Sequence, residues 1–162
     1  MKHQKLYHLV LAALFAALTY VATNIIHVPI PATDGYINLG DCVVLLGAFL
    51  LGPVYGAAAG GIGSALADII SGYAVFAPGT FVIKALIAVI AALIMKALGS
   101  KTKAAPIVAS IAGEAWMLLG YFLYESIFLG YGLAAAGSIG GNAIQAVAGV
   151  ILAAALYAVL SK

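Results

Sequence analysis

The fold class is decided by long apolar stretches, of which residues 80–98, TFVIKALIAVIAALIMKAL, are the clearest. Apart from Thr80, Lys84 and Lys96, every side chain in this stretch is apolar. A helix needs about 20 mostly apolar residues to cross the hydrocarbon core of a bilayer. The stretch therefore predicts a transmembrane helix that carries a lysine inside the membrane.

The whole chain has the composition of an integral membrane protein. Of its 162 residues, 65% are hydrophobic and 7% are charged, and the mean hydropathy is +1.18. A soluble domain carries about 25% charged residues. The length accommodates about six spans of roughly 20 residues joined by short turns. We expect a single domain, residues 1–162, built as an all-α bundle of six transmembrane helices.

Prolines and glycines separate six helical spans. The second and third spans are short and are joined almost without a linker. The first apolar run is too long for the core of a signal peptide, so we expect it to be retained as a helix. The predicted spans are Leu6–Ile26, Asp41–Tyr55, Gly56–Tyr73, Thr80–Leu98, Pro106–Phe128 and Ser138–Leu160.

The lysines predict a multi-pass protein of the cell membrane with both termini in the cytoplasm. With six spans, every lysine except Lys84 falls on one side, which the positive-inside rule makes cytoplasmic. The opposite loops, residues 28–40, 72–79 and 129–137, contain no lysine or arginine. The net charge of +2 fits this topology better than nucleic-acid binding. The cytoplasmic lysines are Lys2, Lys5, Lys96, Lys101, Lys103 and Lys162.

Polar side chains inside the spans concentrate in the outer half of the membrane. Charge in hydrocarbon is expensive and usually faces a cavity or a partner. The fourth, fifth and sixth helices carry polar stripes at matching heights, and their inner halves are mostly Ala, Leu, Ile and Val. This asymmetry predicts a pocket for a small polar molecule, open to the outside and closed beneath. The candidate binding residues are Asn142, Gln145, Tyr121, Tyr124, Glu125, Lys84, Glu114, Phe76, Asn38 and Tyr36, with Asp34 as a further residue of the outer loop.

Structural explanations stay open for several of these residues. Lys84 and Asp68 could simply neutralise each other, because an unpaired buried charge is costly. Asp41 begins the second helix, and the structural interpretation is that it is the N-cap of that helix. Glu125 could be a solvated residue at a helix end. Glu114 lies deeper, and we expect it to be protonated or hydrogen-bonded within the bundle or against a ligand.

The sequence lacks the motifs of enzymes and metal sites. Residues 99–102 resemble the end of a nucleotide-binding P-loop without its upstream glycine and spacing. His3, His8 and His27 are too scattered for a metal centre, and Cys42 alone cannot form an internal disulfide. The chain contains no arginine, the residue best suited to bidentate phosphate binding. We therefore expect no catalysis and no bound metal or cofactor, and an unphosphorylated ligand.

Small residues form two ridges at helical spacing. Gly52, Gly56, Gly60 and Ser64 recur every four positions, which is typical of close helix contacts. The second ridge lies on the first helix and suits contact either with a neighbouring helix or with another subunit. It consists of Ala12, Ala13, Ala16 and Ala17.

Three stretches resemble the substrate-binding S component of energy-coupling factor (ECF) vitamin transporters. They are PATDGYINLGD at residues 31–41, LGPVYG at 51–56 and GSALAD at 63–68, and the likeness extends over almost the whole chain. The resemblance implies that a vitamin binds from outside between the first outer loop and helices four to six, and that this loop closes over it. It also implies partners in a prokaryotic plasma membrane. These are a membrane coupling subunit that contacts the alanine ridge and two ATPases that supply the energy.

Within that family, the chain most resembles the small S components assigned to hydroxymethylpyrimidine or pyridoxine. Tyr121, Tyr124 and Phe76 could stack on a flat ring, while Asn142 and Gln145 could bind ring nitrogens and hydroxyls. Riboflavin, pantothenate and a thiamine precursor are the alternative ligands.

A rival function of another class is a self-sufficient channel or a proton-coupled carrier. Glu114 and Lys84 would then form a proton relay inside the membrane. A membrane enzyme is disfavoured by the missing motifs.

Overall fold

The structure, a computed structural model, describes residues 2–30, 33–99, 102 and 104–161. Within these residues it has five apolar helices long enough to cross a membrane and one two-stranded antiparallel hairpin. A π-helical turn, Tyr124–Phe128, extends the fourth helix, and a 3₁₀ segment, Gly132–Ser138, precedes the fifth. The elements are α1 (Lys2–Ile25), β1 (Val28–Ile30), β2 (Gly35–Ile37), α2 (Gly40–Ile70), α3 (Ala77–Leu98), α4 (Ala105–Leu123) and α5 (Ile139–Leu160).

Helix α2 covers the predicted second and third spans and folds back on itself at Gly52, so five long apolar helices occur among the described residues where six spans were predicted. Gly52 has φ of 77°, a left-handed backbone conformation that favours glycine. Pro53 cannot donate the next helical hydrogen bond. A Cβ atom placed on Gly56 would lie 2.9 Å from the Cα atom of Ala48, so the two arms run antiparallel in contact. The predicted second and third spans are thus a first arm, residues 40–51, and a second arm, residues 53–70, of one broken helix.

The other predicted boundaries differ from the structure by a few residues. Helix α1 begins four residues before Leu6, and α3 begins at Ala77 because Pro78 is well tolerated in a first helical turn. The second arm of α2 ends at Ile70 instead of Tyr73. The outer loop contains the β1–β2 hairpin, which the sequence did not predict.

Different loops and side chains lie at the two ends of the bundle. At one end, the hairpin meets the loop before α3 and the loop between α4 and α5. At the other end, the His8 ring stacks on the Tyr55 ring with centroids 5.3 Å apart. Gly52, Lys96 and Tyr157 border one groove there. We call these the hairpin end and the lysine end; Lys101, Lys103 and Lys162, predicted to lie on the lysine side, are outside the described residues.

Small and branched apolar residues fill the bundle below the hairpin end. Leu45, Ile87, Ala91, Ala109 and Met117 are completely buried in one cluster shared by α2, α3 and α4. The small side chains let the helix backbones approach closely, which is how helices associate in a membrane. This cluster positions the polar ends of the same helices above it.

Candidate functional site

A cavity lies between the hairpin and the helix ends beneath it. Every helix and the hairpin contribute to its walls. The room inside is small, since only about 20 Å³ is open to the centre of a water molecule. The lining residues are Thr23, Ile30, Gly35, Tyr36, Asn38, Ser64, Asp68, Phe76, Thr80, Lys84, Tyr121, Glu125, Asn142 and Gln145.

The hairpin covers the cavity and is held down by two polar contacts. The Tyr36 hydroxyl donates to Asp68 Oδ1 at 2.5 Å. The backbone N–H of Asn38, just after β2, donates to Gln145 Oε1 at 2.7 Å. Ile30 and Gly141 make an apolar contact, because a Cβ atom on that glycine would lie 2.8 Å from Ile30 Cδ1. The hairpin is therefore fastened to both α2 and α5.

Aromatic stacking supports the same cover from outside the membrane spans. The His27 ring stacks on the Tyr36 ring with centroids 3.7 Å apart, and Tyr73 leans on both. Burial, and then the Asp68 carboxylate, raises the pKa of Tyr36, so its phenol stays protonated and can donate. Burial lowers the pKa of His27, while Asp68 acts in the opposite direction.

The floor of the cavity is a buried ion pair. Lys84 Nζ contacts Asp41 Oδ1, and the two side chains are 2% and 1% exposed. Gln145 Nε2 donates to the other oxygen of Asp41 at 2.5 Å. Lys84 also lies over the Tyr121 ring, 5.4 Å from its centroid. Gln145 thus joins the ion pair to the hairpin, because its amide oxygen accepts the Asn38 N–H.

A second polar group closes the cavity at the α4–α5 side. Glu125, in the π-helical turn, accepts a hydrogen bond from the Ser138 hydroxyl at 2.6 Å and is 2% exposed. Thr80 and Tyr121 hydrogen-bond through their hydroxyls at 3.0 Å. The cavity therefore presents a carboxylate, hydroxyls and an aromatic ring on this side.

The structure brings eight of the ten predicted binding residues around this cavity, and Tyr124 and Glu114 lie elsewhere. The Tyr124 hydroxyl donates to the Val75 carbonyl at 2.8 Å, and its ring covers Gly79 on the α3–α4 face. Glu114 is buried behind the floor against Gly149, with no hydrogen-bond partner for its carboxylate among the described residues. Asp34, in the hairpin turn, does not line the cavity.

Three structural explanations are corrected. Lys84 pairs with Asp41 and not with Asp68, whose Oδ1 atom instead accepts from Tyr36. Asp41 is not an N-cap: Leu39 holds that position, and the Gly40 N–H donates to Asn38 Oδ1 at 2.8 Å. Glu125 is not a solvated end residue, since the segment after α4 folds over it. Helical spacing places a side chain on a face but does not say which helix the face meets.

The sequence analysis did not assign the wall formed by α1 and the second arm of α2. Thr23, Ser64 and Asp68 line the cavity from this side. Ser64 and Asp68 are four residues apart and therefore share a helical face. That spacing was one available signal, and Thr19 and Thr23 have the same spacing on α1, but how α1 packs decides that only Thr23 lines the cavity.

No group of three His, Cys, Asp or Glu side chains that could hold a metal ion occurs in the part of the chain that the structure describes. The lining chemistry is that of a binding site for an organic molecule, with hydrogen-bonding groups on every side and three aromatic rings.

Known proteins are similar to this chain in sequence and in fold. A family model described as the S component of an ECF-type riboflavin transporter matches residues 3–162. A protein of Pyrococcus woesei, described as an uncharacterized protein in the gap 3′ region, is 39% identical over 142 residues, covering 88% of this chain and 93% of that protein. A solved structure of the S component of a bacterial ECF transporter has the same fold, with a TM-score of 0.77 and 23% identity over 99% of this chain and 97% of that one. The chain therefore belongs to the family of S components of ECF-type riboflavin transporters.

Proposed function

We propose that this protein binds riboflavin in the cavity beneath the hairpin and presents it to an ECF module for uptake. The observation that carries the proposal is the family match over residues 3–162, which describes a riboflavin transporter component. The cavity supports it independently, because it offers both flat aromatic surfaces and many hydrogen-bonding groups.

An S component is a transport binding protein and not an enzyme, and this chain is accordingly a multi-pass membrane protein that works with a vitamin and an ECF module. We propose that the module consists of a membrane coupling subunit and two ATPases, which use ATP, as the family resemblance implies.

The lining residues suit the two parts of riboflavin. The isoalloxazine ring is flat, and Tyr36, Phe76 and Tyr121 could stack on its face. Its carbonyls and ring nitrogens could hydrogen-bond to the amide of Asn142. The ribityl chain carries hydroxyls that need donors and acceptors. The chain has no arginine, and carboxylates line the cavity, so an added phosphate group would be disfavoured.

This proposal replaces hydroxymethylpyrimidine and pyridoxine, which the sequence resemblance had favoured, with one of the alternatives. The family match supports riboflavin, and the smaller vitamins share only the flat ring and a few polar groups. Residues that stack on a ring and bind its nitrogens do not distinguish among these vitamins. The length of the ligand and the number of its hydroxyl groups distinguish them.

We place the cavity at the outer surface of the membrane. The lysine end carries Lys96, and the described parts of the loops at the hairpin end carry no lysine. The positive-inside rule then puts the lysine end in the cytoplasm. Counting both arms of α2, the chain makes six passes, so both termini are cytoplasmic.

The hairpin must move for the vitamin to enter. The space inside the cavity, about 20 Å³, holds little more than a water molecule. The Tyr36–Asp68 and Asn38–Gln145 hydrogen bonds are the contacts that such a movement breaks. The structure thus corresponds to a closed form.

The alanine ridge of α1 supports a coupling surface. Ala12, Ala13, Ala16 and Ala17 border an apolar groove of about 560 Å³ between α1 and the second arm of α2. Ala12 packs inside the chain, whereas Ala13 and Ala17 are exposed. We expect Ala17→Trp to abolish ATP-dependent uptake by the complete transporter and to leave riboflavin affinity within about 2-fold. Preserved uptake would remove the ridge from the interface.

Titration of the purified chain in detergent with riboflavin, followed by quenching of flavin fluorescence, tests the ligand. We expect tight binding that excess hydroxymethylpyrimidine or pyridoxine does not displace, and much weaker binding of flavin mononucleotide. Asn142→Ala should weaken riboflavin binding roughly 10-fold, since it removes buried hydrogen bonds. Asn24→Ala is the control, because Asn24 bonds Tyr20 and Ser71 outside the cavity. Displacement by pyridoxine at equal concentration would contradict the assignment.

Reconstitution of the chain alone in liposomes separates this function from a channel or carrier. A binding subunit should retain riboflavin at the outer surface without accumulating it inside. Concentrative uptake driven by a proton gradient, and lost in Glu114→Gln, would favour the carrier instead.

A further inference from the structure

The wall formed by α1 and the second arm of α2 carries buried polar atoms without a hydrogen-bond partner in the described part of the chain. We call Thr23, Ser64 and Asp68 the α1–α2 wall. These side chains are 2%, 2% and 3% exposed and line the cavity. Thr23 Oγ1, Ser64 Oγ and Asp68 Oδ2 have no hydrogen-bond partner among the described residues. A buried polar group without a partner is costly, so three such atoms on one cavity wall point to a ligand with matching polar groups.

The opposite side of the cavity is different. Lys84 and Gln145 are already engaged with Asp41, and Glu125 is engaged with Ser138. The aromatic rings of the cavity, Tyr36, Phe76 and Tyr121, come from the hairpin, the start of α3 and α4. The α1–α2 wall contributes no ring. Its side chains are short and offer only hydroxyl and carboxylate oxygens.

This division matches a ligand with two chemically distinct parts. A flat ring gains most from aromatic surfaces. An aliphatic chain of hydroxyls gains most from groups that both donate and accept, as Thr and Ser hydroxyls do, and from a carboxylate that accepts. We propose that the α1–α2 wall is the subsite for the polyhydroxylated chain of the vitamin, and that it discriminates riboflavin from flavins without that chain. This inference rests on the proposed function.

Comparison of riboflavin with lumiflavin tests the subsite, because lumiflavin keeps the ring and replaces the ribityl chain by a methyl group. Each ligand is titrated into the full-length chain in detergent, and binding is followed by fluorescence quenching. We expect Thr23→Val and Ser64→Ala each to weaken riboflavin binding roughly 3- to 10-fold, the typical effect of one lost hydrogen bond. The double variant should lose more. Lumiflavin affinity should stay within about 2-fold in all three variants.

The chain provides matched controls. Thr19, one turn before Thr23 on α1, and Ser110 on α4 also carry buried hydroxyls without a described partner, but they lie outside the cavity lining. Thr19→Val and Ser110→Ala should change neither affinity. All four substitutions remove an unsatisfied polar atom, so none is expected to prevent folding.

The outcomes separate the subsite from the proposed function. Riboflavin binding by the parent chain without loss in Thr23→Val and Ser64→Ala would overturn the subsite and keep the function. An equal loss for both flavins would also overturn it, since the hydroxyls would then act on the ring or on the fold. Absence of riboflavin binding by the folded parent chain would overturn the function itself, and the subsite with it.

Discussion

The two halves of α3 show how one helix serves two purposes. Toward the hairpin end, Thr80 and Lys84 are buried and bonded to Tyr121 and Asp41. Toward the lysine end, Ile87 and Ala91 are equally buried but contact only apolar neighbours. The polar half needs specific partners on other helices, whereas the apolar half needs only a matching shape. Toward the hairpin end, α3 therefore supplies polar groups to the cavity, and toward the lysine end its close apolar packing seals the bundle.

The largest effect is expected from breaking the ion pair of the polar half. Lys84→Met leaves the Asp41 carboxylate buried without its cation, which should lower the free energy of unfolding by about 3–5 kcal/mol. The double variant Asp41→Leu with Lys84→Met should recover most of this stability, because no charge then remains unpaired. Thermal unfolding in detergent, followed by circular dichroism, measures both. A single variant as stable as the double one would show that the pair does not stabilise the polar half.

The next largest effect is expected from a substitution in the apolar half of α3. Ile87→Ala creates a cavity in the completely buried cluster and should lower the free energy of unfolding by about 2–4 kcal/mol. Leu93→Ala, at a residue 52% exposed on the outside of the same helix, is the control and should cost far less. The same unfolding measurement applies. Riboflavin affinity should be nearly unchanged in Ile87→Ala, and a large loss of affinity would mean that the two halves are not independent.

A smaller effect is expected at the cover of the polar half. Tyr36→Phe removes the hydrogen bond to Asp68 and should accelerate riboflavin dissociation roughly 10-fold, as loss of a hydrogen bond to a charged group predicts. Tyr73→Phe keeps the same aromatic stack and should leave the dissociation rate unchanged. Stopped-flow fluorescence gives both rates. Equal rates in the parent chain and Tyr36→Phe would show that the hairpin is not held by this contact.

The smallest effect is the pH dependence of the same cover. Burial lowers the pKa of His27 below its ordinary value of 6.5 in the closed form. The open form then binds the proton more tightly, so the contribution of His27 to closure is complete above pH 6.5 and falls as the pH drops toward the lowered pKa. Riboflavin dissociation should become faster from pH 7.5 to pH 5.5.

The control for this pH dependence is His27→Phe, which keeps an aromatic ring against Tyr36 and cannot titrate in this range. Its dissociation rate should be flat over the same interval. A parallel acceleration in both proteins would assign the effect to another group, such as Asp68.

Much of the candidate site was predictable because membrane insertion limits where polar residues can lie. Asn142 and Gln145 were identified from their spacing and depth alone, and both line the cavity. Tyr124 was assigned to the cavity because it lies in the outer part of its span and could stack on a flat ring, yet the π-helical turn and the contact with Val75 direct it to another face. Thr23 was not identified: Thr19 and Thr23 are one turn apart and share a face of α1, but this spacing does not show that only Thr23 reaches the cavity.

The sequence by itself determined three things: that the chain is a membrane protein, which residues begin and end its helices to within a few positions, and which half of the bundle is polar. Hydrophobicity and helical period are local properties, so a single chain displays them directly. Only the tertiary structure decided that Lys84 pairs with Asp41 and that Asp68 and Gln145 hold the hairpin over the cavity. These features join residues far apart in the chain, and their partners are chosen by the rotation and close approach of neighbouring helices.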